Sequence, residues 1–177
     1  MRVTILDTET TDLITNSLIS DEHQPRVKEF YAIQTDDNEV NLGELEFMCN
    51  PGVPIPPEST KITGITDAMV KNEPPFPEFN ERVRDFIESA EAVVAHNVSY
   101  DRDVIDMEFK RAGLEPICWP KLICTVEETE WLKGYRLNLT ALHMELFNET
   151  FPEAHRAKQD VWALKRCYHH MRTMGWL

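Results

Sequence analysis

Positive charge is in short supply in this chain: 18 lysines and arginines stand against 31 aspartates and glutamates, a net charge of −13 over 177 residues. That balance argues against a protein that grips a long duplex through many phosphate contacts, because such binding needs a broad basic surface. Cysteine is sparse as well. Cys49, Cys118, Cys124 and Cys167 form no CxxC pair and no ligand-like spacing, which argues against a zinc site or a disulfide framework and reads as reduced, mostly core thiols. No apolar run approaches membrane-spanning length, and MRVTILDTET meets an acid at its seventh residue, unlike a secretory signal peptide. The expectation is a cytoplasmic protein with no membrane partner, in which the N-x-S/T triplets at Asn97, Asn138 and Asn148 are chance matches. Repeats, low-complexity stretches and linkers are also lacking, and a hydrophobic content of 42% suits one domain, residues 1–177, with a sizeable core.

What charge there is lies unevenly. From residue 156 onward Arg156, Lys158, Lys165, Arg166 and Arg172 face the single acid Asp160, a net +4, which leaves −17 for residues 1–155. These bases read either as a solvated helix face or, as a group, as a small phosphate-facing patch.

The element pattern is that of a mixed α/β sheet covered by helices. RVTILDTET reads as a strand, residues 26–35 as a second and 39–48 as a third, with the polar turn TDDN suggesting an antiparallel meander. Residues 51–77 hold seven of the eleven prolines and read as loop with at most a short helix over 66–71. Phe79, Val83, Phe86, Ile87 and Ala90 recur at helical spacing, and AVVA that follows suits a strand buried on both faces. Helices are then expected over 99–112, 126–132, 139–147 and 158–174, with a short extended piece at 117–123.

Four acids fall at element ends facing that sheet. On the first strand Val3, Ile5, Asp7 and Glu9 share one side, so an apolar face ends in two carboxylates roughly 6.5 to 7 Å apart along the chain, near enough to share a cation. The plainer alternative is a strand end with solvated acids. Asp101 opens the expected 99–112 helix on the stripe of Val104, Ile105 and Glu108, where an acid also complements the helix dipole. Asp160 shares a face with Leu164, Cys167 and Met171 in the last helix, and an isolated buried acid there needs a cation or hydrogen-bond partners. His155 lies five residues before Asp160, about 140° around a continuous helix, so it reaches the same site only from a preceding loop. Oxygen ligands with no cysteine select Mg²⁺ or Mn²⁺ over zinc.

These residues carry a resemblance. ILDTETTDL, AHNVSYDRDV and HRAKQDV, in that order, resemble the three motifs of the DnaQ-like (DEDDh) 3′–5′ exonucleases, the group that includes the proofreading epsilon subunit of bacterial DNA polymerase III. The resemblance covers nearly the whole chain and implies an RNase H-like fold, a mixed five-stranded sheet flanked by helices. It implies hydrolysis of the terminal phosphodiester at a DNA 3′ end, mostly single-stranded, releasing a nucleoside 5′-monophosphate. Two ions, Mg²⁺ or Mn²⁺, would be held by Asp7, Glu9, Asp101 and Asp160, with Asp7 bridging both and His155 taking the proton of the attacking water. Thr8, Thr10, Thr11 and Leu13 would cradle the terminal nucleotide, Tyr100 or Phe76 would stack on it or else pack in the core, and Lys158 with Lys165 and Arg166 would hold phosphates. RNA is an alternative substrate, as in RNase T or oligoribonuclease, and a DNA polymerase is a candidate partner.

The chain also departs from the family's pattern. Asp12 stands where the first motif commonly has glycine, Thr63 where a histidine is frequent and Tyr100 where phenylalanine is frequent, while residues 14–25 form a longer segment than usual. Two rivals remain. An aspartate-nucleophile phosphatase would explain a strand ending in DxE but leaves H-x4-D without a role. An inert end-binding module would be expected to lack one of the acids or the histidine, and all five are present.

Overall fold

The computed structural model of the protein describes residues 1–15, 23–152 and 154–177. Five strands form one sheet: β1 (Val3–Thr10), β2 (Val27–Thr35), β3 (Asn41–Met48), β4 (Ala92–Ala95) and β5 (Lys121–Cys124), in the order β3-β2-β1-β4-β5. The meander β1 to β3 is antiparallel, and β4 and β5 run parallel to β1. β1 is the central strand, so its two side-chain rows each meet a helical layer. Val3 and Ile5 pack with Tyr31, Ile33, Val161 and Leu164, whereas Leu6 packs with Phe30, Ala32, Val83 and Val104. The alternation of a single strand thus sorts residues into two cores.

Seven α-helices are found among the described residues: α1 (Pro57–Thr63), α2 (Asp67–Val70), α3 (Asn80–Glu88), α4 (Val98–Arg111), α5 (Thr125–Thr129), α6 (Leu139–Phe147) and α7 (Ala157–Thr173). α3 and α4 cover one side of the sheet and α7 the other. α6 coincides with the expected 139–147 helix, its start capped by Asn138 Oδ1 accepting from the Ala141 N–H at 2.8 Å.

The proline-rich segment is a correction. Residues 51–77 contain not only the short α2 but also α1, because Pro57 occupies a first-turn position where a missing N–H costs nothing. Gly64, at φ 72°, then ends α1 in the left-handed conformation.

Three connections place chemistry at the same end of the sheet. β1 runs out at Asp7 and Glu9. Asn97, at φ 81°, turns the chain from β4 into α4, a conformation asparagine tolerates, and brings Asp101 into the first turn. The loop before α7 brings His155 and Asp160 to the same edge.

Candidate active site

Asp7, Thr8, Glu9, Asp101, His155 and Asp160 line one cavity of about 220 Å³. One carboxylate oxygen from each of Asp7, Glu9 and Asp160 lies within 4.8 Å of the others. Asp101 stands just behind this trio. It is buried, and its Oδ1 accepts from the Thr8 N–H at 3.0 Å and the Thr8 hydroxyl at 2.7 Å. Thr8 therefore holds Asp101 in place, a role different from the nucleotide contact expected of it, because strand alternation turns its hydroxyl toward α4.

The electrostatics of the cluster are those of a cation site. Burial first, and then the charges of Asp101, Glu9 and Asp160, push the Asp7 carboxyl well above the usual carboxylate range. Burial, then Asp160 and Glu29, push Glu9 up to about 8. Burial raises Asp101 and Asp160 to about 7 in spite of the N–H groups that bond them. Among the described residues no lysine or arginine forms an ion pair with any of the four, although Arg156 pairs with neighbouring Glu29 and Arg111 with Glu108. Buried, convergent carboxylates with no ion-pair partner among the described residues, and only the nearby Lys28 ammonium to offset Glu9, fit a divalent, oxygen-seeking metal ion.

His155 lies on the loop before α7, exposed at the mouth of the cavity, with a left-handed backbone at φ 70°. Its N–H donates to Asp160 Oδ2 at 3.0 Å, so the backbone of the histidine orients the carboxylate. The next residues are pinned from β2: Glu29 takes bonds from Arg156 Nε and Nη2 and from the Ala157 N–H at 3.0 Å. Pairing in the β1–β2 ladder sets Glu29 opposite Glu9, and this anchor carried no signal in the sequence.

A second imidazole also lines the cavity. His96 Nε2 bonds the Leu137 carbonyl at 3.0 Å and Nδ1 bonds the Thr125 hydroxyl at 2.9 Å. With both nitrogens engaged and burial lowering its pKa to about 4, His96 is a neutral structural group. Of the two, His155 is the exposed one and His96 is half-buried.

Beside the acidic cavity opens a larger one of about 600 Å³, sharing Thr8, Glu9, Tyr100 and His155 with it. Thr10, Thr11, Asp12 and Leu13 form one wall, and α1 forms the other. Leu13 and Ile62 flank its mouth at 72% and 58% exposure, an apolar pair left open to solvent. The Tyr100 hydroxyl meets Thr10 Oγ1 at 2.5 Å and donates to the Asp12 carbonyl at 2.8 Å. Asp12 keeps a negative φ, and its Oδ1 accepts from the Leu13 N–H at 2.7 Å, so the turn closes without a glycine. Thr11 is buried and accepts from the Arg26 N–H, which makes it chiefly a turn residue. Phe76 is buried beside Phe47 and Phe109 and belongs to the core.

The basic patch is a further correction. Lys158 donates to Glu46 at 2.7 Å and covers the Tyr31 ring, Arg166 pairs with Glu149 at 2.6 Å, and Lys165 bonds the Glu39 carbonyl. None lines either of the two cavities; Lys158, two residues and about 200° around α7 from Asp160, reaches the edge strand β3 instead. Of the segment at 14–25, residues 16–22 lie outside the described part of the chain.

Comparison with known proteins gives the family and the fold. The exonuclease family model (RNase_T) matches residues 4–168. Over 146 residues, 80% of the chain, it is 30% identical to DNA polymerase III subunit epsilon of Pasteurella multocida, covering 56% of that protein. Over 160 residues, 88% of the chain, it is 33% identical to the PolC-type DNA polymerase III of Pediococcus pentosaceus, covering 10% of it. The chain thus spans about half of the first relative and about a tenth of the second. Exonuclease X, solved in complex with 5′ overhanging duplex DNA, superposes at a TM-score of 0.72 with 26% identity, over 99% of this chain and 94% of that one. The nuclease domain of 3′hExo, a DEDDh family member bound to rAMP, superposes at 0.79 over 98% of this chain and 92% of its own, with 14% identity, a likeness of fold.

Proposed function

The chain belongs to the exonuclease family, and from that premise we propose that it is a metal-dependent 3′–5′ exonuclease acting on single-stranded DNA ends and releasing nucleoside 5′-monophosphates. The observation that carries the proposal is the convergence of Asp7, Glu9, Asp101, His155 and Asp160 on one cavity that opens directly into a nucleotide-sized neighbour.

The four carboxylates would hold two Mg²⁺ or Mn²⁺ ions, which supply neutralising charge at the scissile phosphate and acidify the attacking water. The protein's part is orientation and proton transfer. Asp7 comes from the central strand, Asp101 is fixed by Thr8, and Asp160 is fixed by the His155 N–H, so the ligand oxygens are set before substrate arrives. The His155 imidazole, exposed at the cavity mouth, would accept the proton that the attacking water gives up. Leu13 and Ile62 present apolar surface for the terminal base, and Thr10 with Tyr100 supplies hydroxyls toward its sugar. A single 3′ end needs few phosphate contacts, which reconciles this substrate with a net charge of −13. The likeness to epsilon and PolC extends the proposal to a polymerase partner.

The test is incubation of the purified protein with 5′-labelled single-stranded DNA and RNA in Mg²⁺, Mn²⁺ or EDTA. A ladder shortening from the 3′ end of DNA, present with metal and absent with EDTA, is the expected result. Cleavage that persists in EDTA, or no cleavage under any condition, overturns the proposal. A faster RNA ladder reassigns the substrate to RNA.

A further inference from the structure

Lys28 is wholly buried at 0% exposure, in a strand whose neighbouring Val27 and Phe30 are core residues. An ammonium removed from water is costly unless it is well partnered, and burial pulls the pKa of this one down while the charges of Glu9 and Glu29 hold it up. Its placement follows from the β1–β2 ladder. Glu9 pairs with Glu29 and Thr10 with Val27, which makes Lys28 the extra residue of a β-bulge beside Glu9. A bulge re-aims a side chain. Here it sends Lys28 past the end of β1 to α1, where Nζ donates to Ser59 Oγ at 2.5 Å and to Thr63 Oγ1 at 2.8 Å.

Both acceptors pass the link on. Ser59 Oγ donates to the Thr10 carbonyl at 2.9 Å, and Thr63 Oγ1 donates to the Ser59 carbonyl at 3.0 Å. α1 has little else to hold it: it is seven residues long, only Thr63 in it is buried, and Ile62 is 58% exposed. Yet α1 forms one wall of the 600 Å³ cavity whose other wall is the end of β1.

We propose that Lys28 is a positioning residue for substrate, a buried strut that holds α1 at a fixed distance from Thr10 and so sets the width of the cavity that takes the terminal nucleotide. The inference rests on the reading of that cavity given under Proposed function. Thr63, which stands where the family frequently has histidine, is one end of the strut.

The strut predicts a defect in substrate binding with the metal site spared. In Lys28→Met, which keeps the stem and removes the ammonium, hydrogen exchange at the amides of Thr60 and Gly64 speeds up by about tenfold or more, while exchange in β1 and α7 does not change. KM for single-stranded DNA rises about tenfold with kcat within about twofold. Mn²⁺ binding measured by calorimetry is no weaker than wild type, because loss of a positive charge near the carboxylates cannot repel a cation. Thr63→Val reproduces the direction of the effect, Thr63→Ser does not, and Lys28→Met with Thr63→Val is no worse than Lys28→Met alone. If Lys28→Met does not fold, Thr63→Val against Thr63→Ser carries the same expectations. Unchanged exchange in α1, a loss confined to kcat, or Mn²⁺ binding weakened in step with activity overturns the proposal. Absence of nuclease activity in the wild type would defeat only the functional reading, since the exchange measurement decides the strut without it.

Discussion

Along α7, Lys158 and Arg166 each meet a carboxylate, Glu46 at 2.7 Å and Glu149 at 2.6 Å, and Arg172 meets Asp37. On the first turn of the same helix Asp160 meets no base among the described residues, but two more acids, Asp7 and Glu9. Where charge serves packing the chain pairs it across the helix and the neighbouring sheet. Where charge is left like against like, the arrangement calls for a positive partner from outside the protein. The difference separates a surface that contributes modest stability from a site that gives some up.

The largest way to break the contrast is to remove one of the clustered acids. Asp7→Ala should lower exonuclease activity by on the order of 10³-fold or more, because it takes away one of the carboxylates that would hold the ions. The same variant in EDTA at pH 8 should unfold at a higher temperature than wild type, since a repelling buried acid has gone. A lower melting temperature there would mean that the cluster is not strained. His155→Ala should cost about 10² to 10⁴ in kcat. An unchanged rate between pH 6 and 9 would remove His155 from the mechanism.

A smaller effect sharpens the comparison without mutation. Glu9 holds its proton up to about 8, and Asp101 and Asp160 up to about 7, against ordinary values of 4.5 and 3.8. Between those limits the folded chain binds more protons than the unfolded one, so raising the pH favours unfolding. In EDTA the melting temperature should therefore fall from about pH 5 to pH 8, and Mn²⁺ should restore more of it at pH 8 than at pH 5. Equal stabilisation by Mn²⁺ at both values would count against the carboxylates as the ligands. Smallest of all, Lys158→Ala should change the melting temperature by less than about 3 °C and activity by less than twofold, because its pair with Glu46 is exposed.

The acids were legible in the sequence because each sits at an element end with a periodic apolar stripe behind it, as Asp101 does ahead of Val104 and Ile105. His155 was legible through its spacing from Asp160, which a helix could not satisfy and a loop could. The antiparallel meander was legible through its short polar turns, and β4 through a run buried on both faces, while the strand order itself was not. α1 was missed because prolines that break a helix interior are harmless in a first turn, and seven of them masked that distinction. The pairing of Lys158 with Glu46 was not legible, since it joins residues 112 apart across the sheet edge. Glu29 was missed for the same reason: only strand register brings it opposite Glu9 and under the loop that carries His155.

The extra residue in β2 also acts as a change of phase. Beyond it, even-numbered Phe30 and Ala32 face the core shared with Leu6, and odd-numbered Tyr31 and Ile33 face the core beneath α7; before it, odd-numbered Val27 joins the even-numbered set. One strand thus reads its two sides with opposite parity on either side of residue 28. Were the strand to pair regularly through Lys28 instead, the alternation would be unbroken and Val27 would turn onto the wrong side of the sheet. The irregular step that frees Lys28 also keeps the incoming chain in register with the rest of the molecule.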